Sequence, residues 1–304
     1  MTAFSDSQGE VVLRGDARLE RRPRRLHALW ETALHQPLGT VSALVIAVLI
    51  AMAIFAPLIA RYDPTEIHPR DALKSPRAAY IMGTDAVGRD VFSRIVWGAR
   101  VSLKVGVVAV AVGTAIGALV GLVSGYMGGM TDTLLQRLMD SVMALPPLIL
   151  ALAVMTVLGR SSTNAVVAVS VIIMPLAARI VRGSVLSVKE NAYVEAARAI
   201  GCSDVRILLR HIFPNVVAPI IVIASVTLGA AILIEAALSF LGLGTPPPAP
   251  SWGGMLSAEG RAYMERAPWL ALFPGVAISL AVLAFNLLGD SIRDILDPRL
   301  RGTQ

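Results

Sequence analysis

The 304-residue chain holds one cysteine, three lysines and four histidines, and only 16% of its residues are charged. Each scarcity excludes a class of chemistry. The single thiol, Cys202, allows no internal disulfide and reads as a small apolar filler rather than a redox group. Lys74, Lys104 and Lys189 each follow an apolar residue, whereas a P-loop needs glycine before its lysine, so the chain cannot hold a nucleotide in that way. His27, His35, His68 and His211 are scattered singly, without the H-E-x-x-H or Cys/His spacing of a metal site. Nor is there a G-x-S-x-G stretch of the kind that presents a nucleophilic serine. The expectation is a chain with no catalytic residue, no metal ligand and no cofactor of its own.

Apolar sequence is what the chain has in abundance. Hydrophobic residues make up 55% of it and the mean hydropathy is +0.69, too apolar for an ordinary soluble domain. A hydrocarbon core about 30 Å thick needs about 20 apolar residues per helix. Six segments qualify or nearly qualify, near 38–60, 101–126, 138–158, 163–182, 214–241 and 268–289. The fold class is therefore an all-α polytopic membrane protein with six transmembrane helices and the lipid bilayer as its solvent. Six crossings leave both termini on one side. That side carries the N-terminal Arg14, Arg18, Arg21, Arg22, Arg24 and Arg25. It also carries Arg179, Arg182, Lys189, Arg198, Arg206 and Arg210 around the loop after the fourth span, and Arg293, Arg299 and Arg301 at the end. By the positive-inside rule it is the cytoplasm, although the segment 61–100 holds seven basic residues of its own. A cleaved signal peptide is the competing reading of 38–60, but that run exceeds the 7–15 residues of a signal core, so it reads as an uncleaved anchor. The formal net charge of +6 is explained by cytoplasmic flanks beside anionic lipid, and no nucleic-acid partner is expected.

The organisation read from these features is a basic cytoplasmic tail (1–37), a first span (38–60) and an extracytoplasmic segment with an amphipathic helix (61–100). A core follows (101–290) with a cytoplasmic loop at 183–213, then a cytoplasmic C-terminal tail (291–304). The loop is the most informative part. Glu195-Ala196-Ala197-Arg198-Ala199-Ile200-Gly201 reads as a short helix closed at Gly201, with Tyr193, Ala196, Ala197 and Ile200 on one small apolar face. Ser203 can cap a second helix, in which Val205, Leu208, Leu209 and Ile212 follow helical spacing, and Pro214 opens the next span.

E-A-A-x-x-x-G with a proline thirteen residues after the glycine resembles the EAA loop of permease subunits of bacterial binding-protein-dependent ABC importers. The Arg210-His211-x-x-Pro214-Asn215 version resembles the dipeptide, oligopeptide and nickel branch. Gly83-Thr84-Asp85-x-x-Gly88-Arg89-Asp90-x-x-Ser93-Arg94 is similar to the region before the core in the peptide-importer subunit with the short first external loop, and Asp297-Pro298-Arg299-Leu300-Arg301 fits that family's ending. The resemblance covers residues from about 83 to 301. It implies a type I ABC importer permease fold in the bacterial cytoplasmic (inner) membrane, with both termini cytoplasmic. It implies as partners a homologous second permease, two cytoplasmic ATPases that bind ATP and Mg, and an extracytoplasmic substrate-binding protein. It gives Tyr193, Glu195, Ala196, Ala197, Ile200, Gly201, His211 and Pro214 to ATPase coupling. The substrate implied is a di- or oligopeptide, with nickel or another small solute as the alternative. An ion-coupled secondary transporter would want several intramembrane ionisable groups, and Glu235 alone is thin support.

Three further patterns lie in the spans. Gly113, Gly117, Gly121 and Gly125 recur every four residues and leave one helix face nearly bare, for packing or for a helix that slides. Pro146-Pro147 and Pro175 favour kinks, which either gate or pack. Glu235, with Pro175 a candidate pathway or gate residue, either faces a watery cavity or lies at the outer end of its span bonded locally. The Pro246-Pro247-Pro248 loop, residues 242–267, is a plain connector or a contact for the binding protein.

Overall fold

The computed structural model describes residues 37–257, 260 and 262–296; the basic N-terminal arginines and the Asp297–Arg301 ending lie outside the described residues. Among the described residues the chain is helical, and an isolated antiparallel bridge between Thr84 and Asp90 is its sole strand-like pairing. Helix α1 spans Pro37–Ile54, a four-residue α2 follows at Ala56–Ile59, and α3 runs from Val91 to Met127. Then come α4 (Gly129–Met143), α5 (Pro147–Leu158) and α6 (Ser162–Lys189). Two short loop helices, α7 (Ala192–Ala199) and α8 (Asp204–Ile207), precede α9 (Phe213–Phe240), α10 (Trp252–Leu256) and α11 (Trp269–Leu296).

Among the described residues, five helices are long and apolar enough to cross a membrane, or six when the bent pair α4 and α5 counts as one span. The expected third crossing, 138–158, is a broken one: α4 and α5 meet at 92°. The break has a local cause. Pro147 excludes the helical region for the residue before it, and Pro146 accordingly sits at φ −55, ψ 135. At 12 residues α5 is about 18 Å long, well short of a hydrocarbon core. The expected first span, 38–60, is also shorter than read: its helix ends at Ile54, and Pro57 opens the separate short α2 after Phe55 leaves the helical conformation. The second, fourth and sixth spans run on beyond their apolar stretches. The amphipathic segment beginning near Phe92 is continuous with the second span, so α3 is 37 residues long.

Close approach of bare backbones holds the bundle together. A Cβ added at Gly117 would lie 2.3 Å from the Met174 carbonyl oxygen, and one at Gly121 2.4 Å from that of Ala178. Gly113 and Gly125 meet Ser170 and Val185 in the same way, so the whole glycine row lies against α6. Ser170 Oγ closes the contact by donating to the Ala109 carbonyl at 3.0 Å. A second close approach, between α9 and α11, uses Gly229 against Asn286 and Gly289 against Val226. Without water to drive apolar surfaces together in lipid, such contacts and the dispersion they gather supply much of the association between helices.

Before α3 the chain forms a compact cap built from the G-T-D-x-x-G-R-D-x-x-S-R residues. Asp90 caps α3, accepting from the Ser93 N–H at 2.8 Å. Asp85 accepts from the Val87 and Arg89 N–H groups at 3.0 and 2.9 Å and pairs with Arg89 and, at 3.6 Å, Arg94. Gly88 has φ +86, and a Cβ there would run into the His68 carbonyl. The Tyr80 hydroxyl, and after it Arg77, holds the Asp71 carboxyl below the usual carboxylate range. Indole donors hold this end together: Trp269 Nε1 ties α11 to the cap through the Thr84 carbonyl at 3.1 Å, and Trp252 Nε1 ties α10 to α3 through the Ile95 carbonyl at 3.0 Å.

Gly117→Val forces α3 from α6 and is expected to destabilise by about 1–3 kcal/mol or more, as overpacking does. Gly183→Ala, in α6 with nothing within 4 Å, is expected to be neutral or slightly stabilising. Thermal unfolding of the two purified variants in the same detergent checks both; equal melting temperatures would contradict the packing account.

Candidate functional site

The loop between α6 and α9 folds as two short helices with a break, and Gly201 closes the first. Its φ is +81; the Cys202 N–H bonds the Ala197 carbonyl and the Gly201 N–H bonds that of Arg198, both at 3.0 Å. That pair of bonds is a Schellman closure. A Cβ at Gly201 would meet nothing within 4 Å, so the demand is for backbone conformation and not for space. Ser203 sits at the start of α8 as expected but makes no capping bond with its side chain.

The loop's faces differ from the sequence reading. Val194 and Ala197 point inward, packed with Ile207, Ile212 and Val216 of the following segment and Val181 and Val185 of α6. Tyr193, Glu195, Ala196 and Ile200 are exposed, Ile200 at 80%. Ala197 therefore belongs to the core and leaves the outward face to Tyr193, Ala196 and Ile200, which recur at i, i+3 and i+7. In the second helix Val205 and Leu209 are exposed and Leu208 half-buried, while Ile207 and Ile212 are buried, five residues apart. A π-helical stretch, Leu208–Ile212, explains that spacing. It also lets α8 run into α9 across Pro214: the Phe213 N–H reaches back to Leu208, and the Asn215 side chain bonds the His211 carbonyl at 2.7 Å. His211 is half-buried with its ring 6.5 Å from that of Tyr193.

Polar ties fix this loop to the bundle. The Tyr126 hydroxyl, near the end of α3, donates to Asp204 of α8. Lys189 Nζ donates to the Gly125 carbonyl at 3.1 Å. Beside them Asp132 of α4 accepts both Arg182 Nε and Nη2 of α6 at 2.6 Å, a forked pair. Nothing in the sequence announces this pair. Opposite charges fifty positions apart give no spacing signal; only the α3–α6 packing brings them together.

The two pathway candidates lie in packed interior. Pro175 is buried in α6, in the stretch that meets the glycine row. Glu235 is 1% exposed, near the end of α9 that leads to residues 241–251. Its Oε1 accepts from Ser239 Oγ at 2.7 Å. Its Oε2 makes no well-formed hydrogen bond among the described residues, although the Ser102 hydroxyl of α3 is near enough to interact with the carboxyl group. Glu235 is thus bonded locally, one turn along its own helix, through one of its two oxygens.

The arrangement is a rigidly held hairpin presenting apolar side chains in a charged surround at one end of a multi-helix bundle. The model of binding-protein-dependent transport system inner membrane components matches residues 117–302, and that of the N-terminal TM domain of oligopeptide transport permease C matches residues 26–76. The chain is 48% identical over 277 residues to the glutathione transport system permease protein GsiD of Shigella flexneri serotype 5b (strain 8401), covering 91% of each chain. Against GsiD of Escherichia coli O6:K15:H31 (strain 536 / UPEC) the identity is 47% over the same length. Its fold is similar to a chain of the MetNI methionine ABC transporter in an inward-facing conformation, with TM-score 0.56 and 19% identity over 67% of this chain and 96% of that one. The helical bundle, the broken third span and the EAA hairpin are thus those of a permease, and the chain belongs to the inner membrane components of binding-protein-dependent ABC importers.

Proposed function

We propose that the chain is one of two permease subunits of an importer for glutathione or similarly short peptides. Its hairpin end faces the cytoplasm and its 60–90 cap faces outside. The substrate class rests on the GsiD relatives, whose printed role is glutathione transport. In this reading a homologous permease completes the pathway, two ATPases hold the ATP and Mg, and an external binding protein delivers the solute. The orientation is supported by the basic residues around α7 and α8. Of the basic residues on the opposite side, Arg77, Arg89 and Arg94 are engaged in ion pairs inside the folded cap.

One observation carries the coupling role: Tyr193, Ala196 and Ile200 are exposed on a helix whose other face is core. Apolar side chains held out on a charged, water-facing hairpin fit a groove on a soluble partner. An ATPase that seats them and then moves must move α7, and α7 cannot move alone. Its inner face joins it to α3, α6 and the foot of α9, and the Tyr126–Asp204 bond ties the neighbouring α8 to α3. The α8–α9 segment, continuous from Asp204 to Phe240, then carries the displacement across the membrane.

Ile200→Asp removes an apolar contact worth about 1.5–3 kcal/mol when fully buried. It is expected to cut ATP-driven glutathione uptake by the reconstituted importer about tenfold or more, with the chain still inserted; uptake equal to wild type would overturn the docking face. Gly201→Asp forces a side chain into the left-handed region, at about 1–2 kcal/mol, and is expected to uncouple ATP hydrolysis from uptake. Orientation is read separately, in a Cys202→Ser background. A membrane-impermeant maleimide is expected to label Thr65→Cys in intact cells, but Ile200→Cys only after permeabilisation. The reverse pattern would invert the topology.

A further inference from the structure

At the cap end of the bundle, well away from the hairpin, a cavity of about 300 Å³ opens between four parts of the chain. One wall is the Asp85, Arg89 and Arg94 cluster, another is Arg160 in the turn between α5 and α6, and the others are the end of α9 with its proline-rich loop and the start of α10. Two features that the coupling function does not use, the G-T-D-x-x-G-R-D-x-x-S-R string and the 242–251 loop, thus converge on one space.

The polar groups around it differ in how far they are occupied. Asp85 is neutralised by its two arginines, which are committed to it and to further groups, Arg94 Nη1 for example donating to the Pro64 carbonyl at 3.0 Å. Ser239 donates to Glu235, and the Ser251 hydroxyl accepts from the Gly254 N–H at 3.2 Å. Two donors remain. Arg160 is exposed and makes no hydrogen bond or ion pair among the described residues. The Thr245 hydroxyl oxygen is shut off from solvent and has no partner among them. A guanidinium has five N–H donors and no acceptor, and an idle hydroxyl lining the same cavity gives the two a common complement: a group that only accepts and carries negative charge.

We propose that this cavity binds a carboxylate of the transported solute, with Arg160 as its cation and the Thr245 hydroxyl as its second donor. At about 300 Å³ the space is at the lower limit for a ligand pocket and takes a carboxylate with the residue that bears it, not a whole tripeptide. It lies within this one chain, so it acts as an entry vestibule that holds one end of the solute. The inference rests on the small-peptide reading above and adds to it the part of the solute this subunit recognises.

The test uses the complete importer, both permeases with their ATPases, in lipid nanodiscs without the binding protein. Calorimetric titration follows four probes: glutathione, Ala-Ala, glutathione dimethyl ester and inorganic phosphate. Saturable binding of glutathione and of Ala-Ala is expected. It should be weakened about tenfold or more by Arg160→Gln and a few-fold by Thr245→Val at unchanged melting temperature, with the ester bound far more weakly. No saturable binding, equal affinity in Arg160→Gln, or an ester that binds as well as the acid would overturn the site. Phosphate binding as tightly as glutathione would overturn its assignment to a carboxylate of the solute. Uptake of labelled glutathione by the same importer with its binding protein separates the two readings. Uptake that persists while Arg160→Gln and wild type bind alike sinks the vestibule alone. Absence of uptake together with Arg160-dependent binding of Ala-Ala sinks glutathione as cargo and keeps the carboxylate site.

Discussion

The contact on which the rest depends is the one between α3 and α6, where the row Gly113, Gly117, Gly121 and Gly125 brings one helix against the backbone of the other. Lipid tails are as apolar as leucine, so the bundle cannot be assembled by excluding water; it is assembled by shape. At Gly117 and Gly121 there is no room for even a methyl group. That proximity brings Asp132 within reach of Arg182 and Lys189 within reach of the Gly125 carbonyl. It likewise sets the foot of α6 where α7 can pack against it. Remove the close approach and the loop loses its foundation along with the bundle.

Rigidity at that end serves the proposed function directly. A coupling element has to be exposed enough to be gripped and fixed enough to transmit. The two demands are met on opposite faces of one eight-residue helix and its C-cap, Tyr193 and the C-cap Ile200 outside, Val194 and Ala197 inside. The π-helical stretch at Leu208–Ile212 is part of the same solution. It turns Ile207 and Ile212 inward together and carries the helix past Pro214 without a break, so the hairpin and the membrane span are one mechanical piece.

Much of this was legible in the sequence, for physical reasons. Long apolar runs announce spans, a proline pair announces a kink, and a glycine at the end of an amphipathic turn announces a helix closure; the structure has all three, with the kink at Pro146-Pro147 sharpened to a 92° break. The face of α7 was misread because a helical wheel ranks residues by apolarity alone. Ala197 looked as exposed as Ala196, and the decisive fact, that α6 and α9 lie on one side, is tertiary. The phase of the second helix was hidden because α-helical spacing was assumed where a π-helical stretch shifts it. Glu235 looked conspicuous for its charge, yet Ser239, one turn along, was its partner. The vestibule was not visible at all, since its walls come from residues as far apart as Asp85 and Leu270.

The account turns on which face of α7 meets the ATPase. Placing a photo-crosslinking amino acid singly at Ile200, Tyr193 and Val194 in the complete importer, and identifying the adducts by mass spectrometry, tests it most directly. Adducts from Ile200 and Tyr193 to a P-loop ATPase, with none from Val194, are the predicted result. Adducts to the ATPase from Val194 alone, or from Ile200 to lipid and no protein, would contradict it.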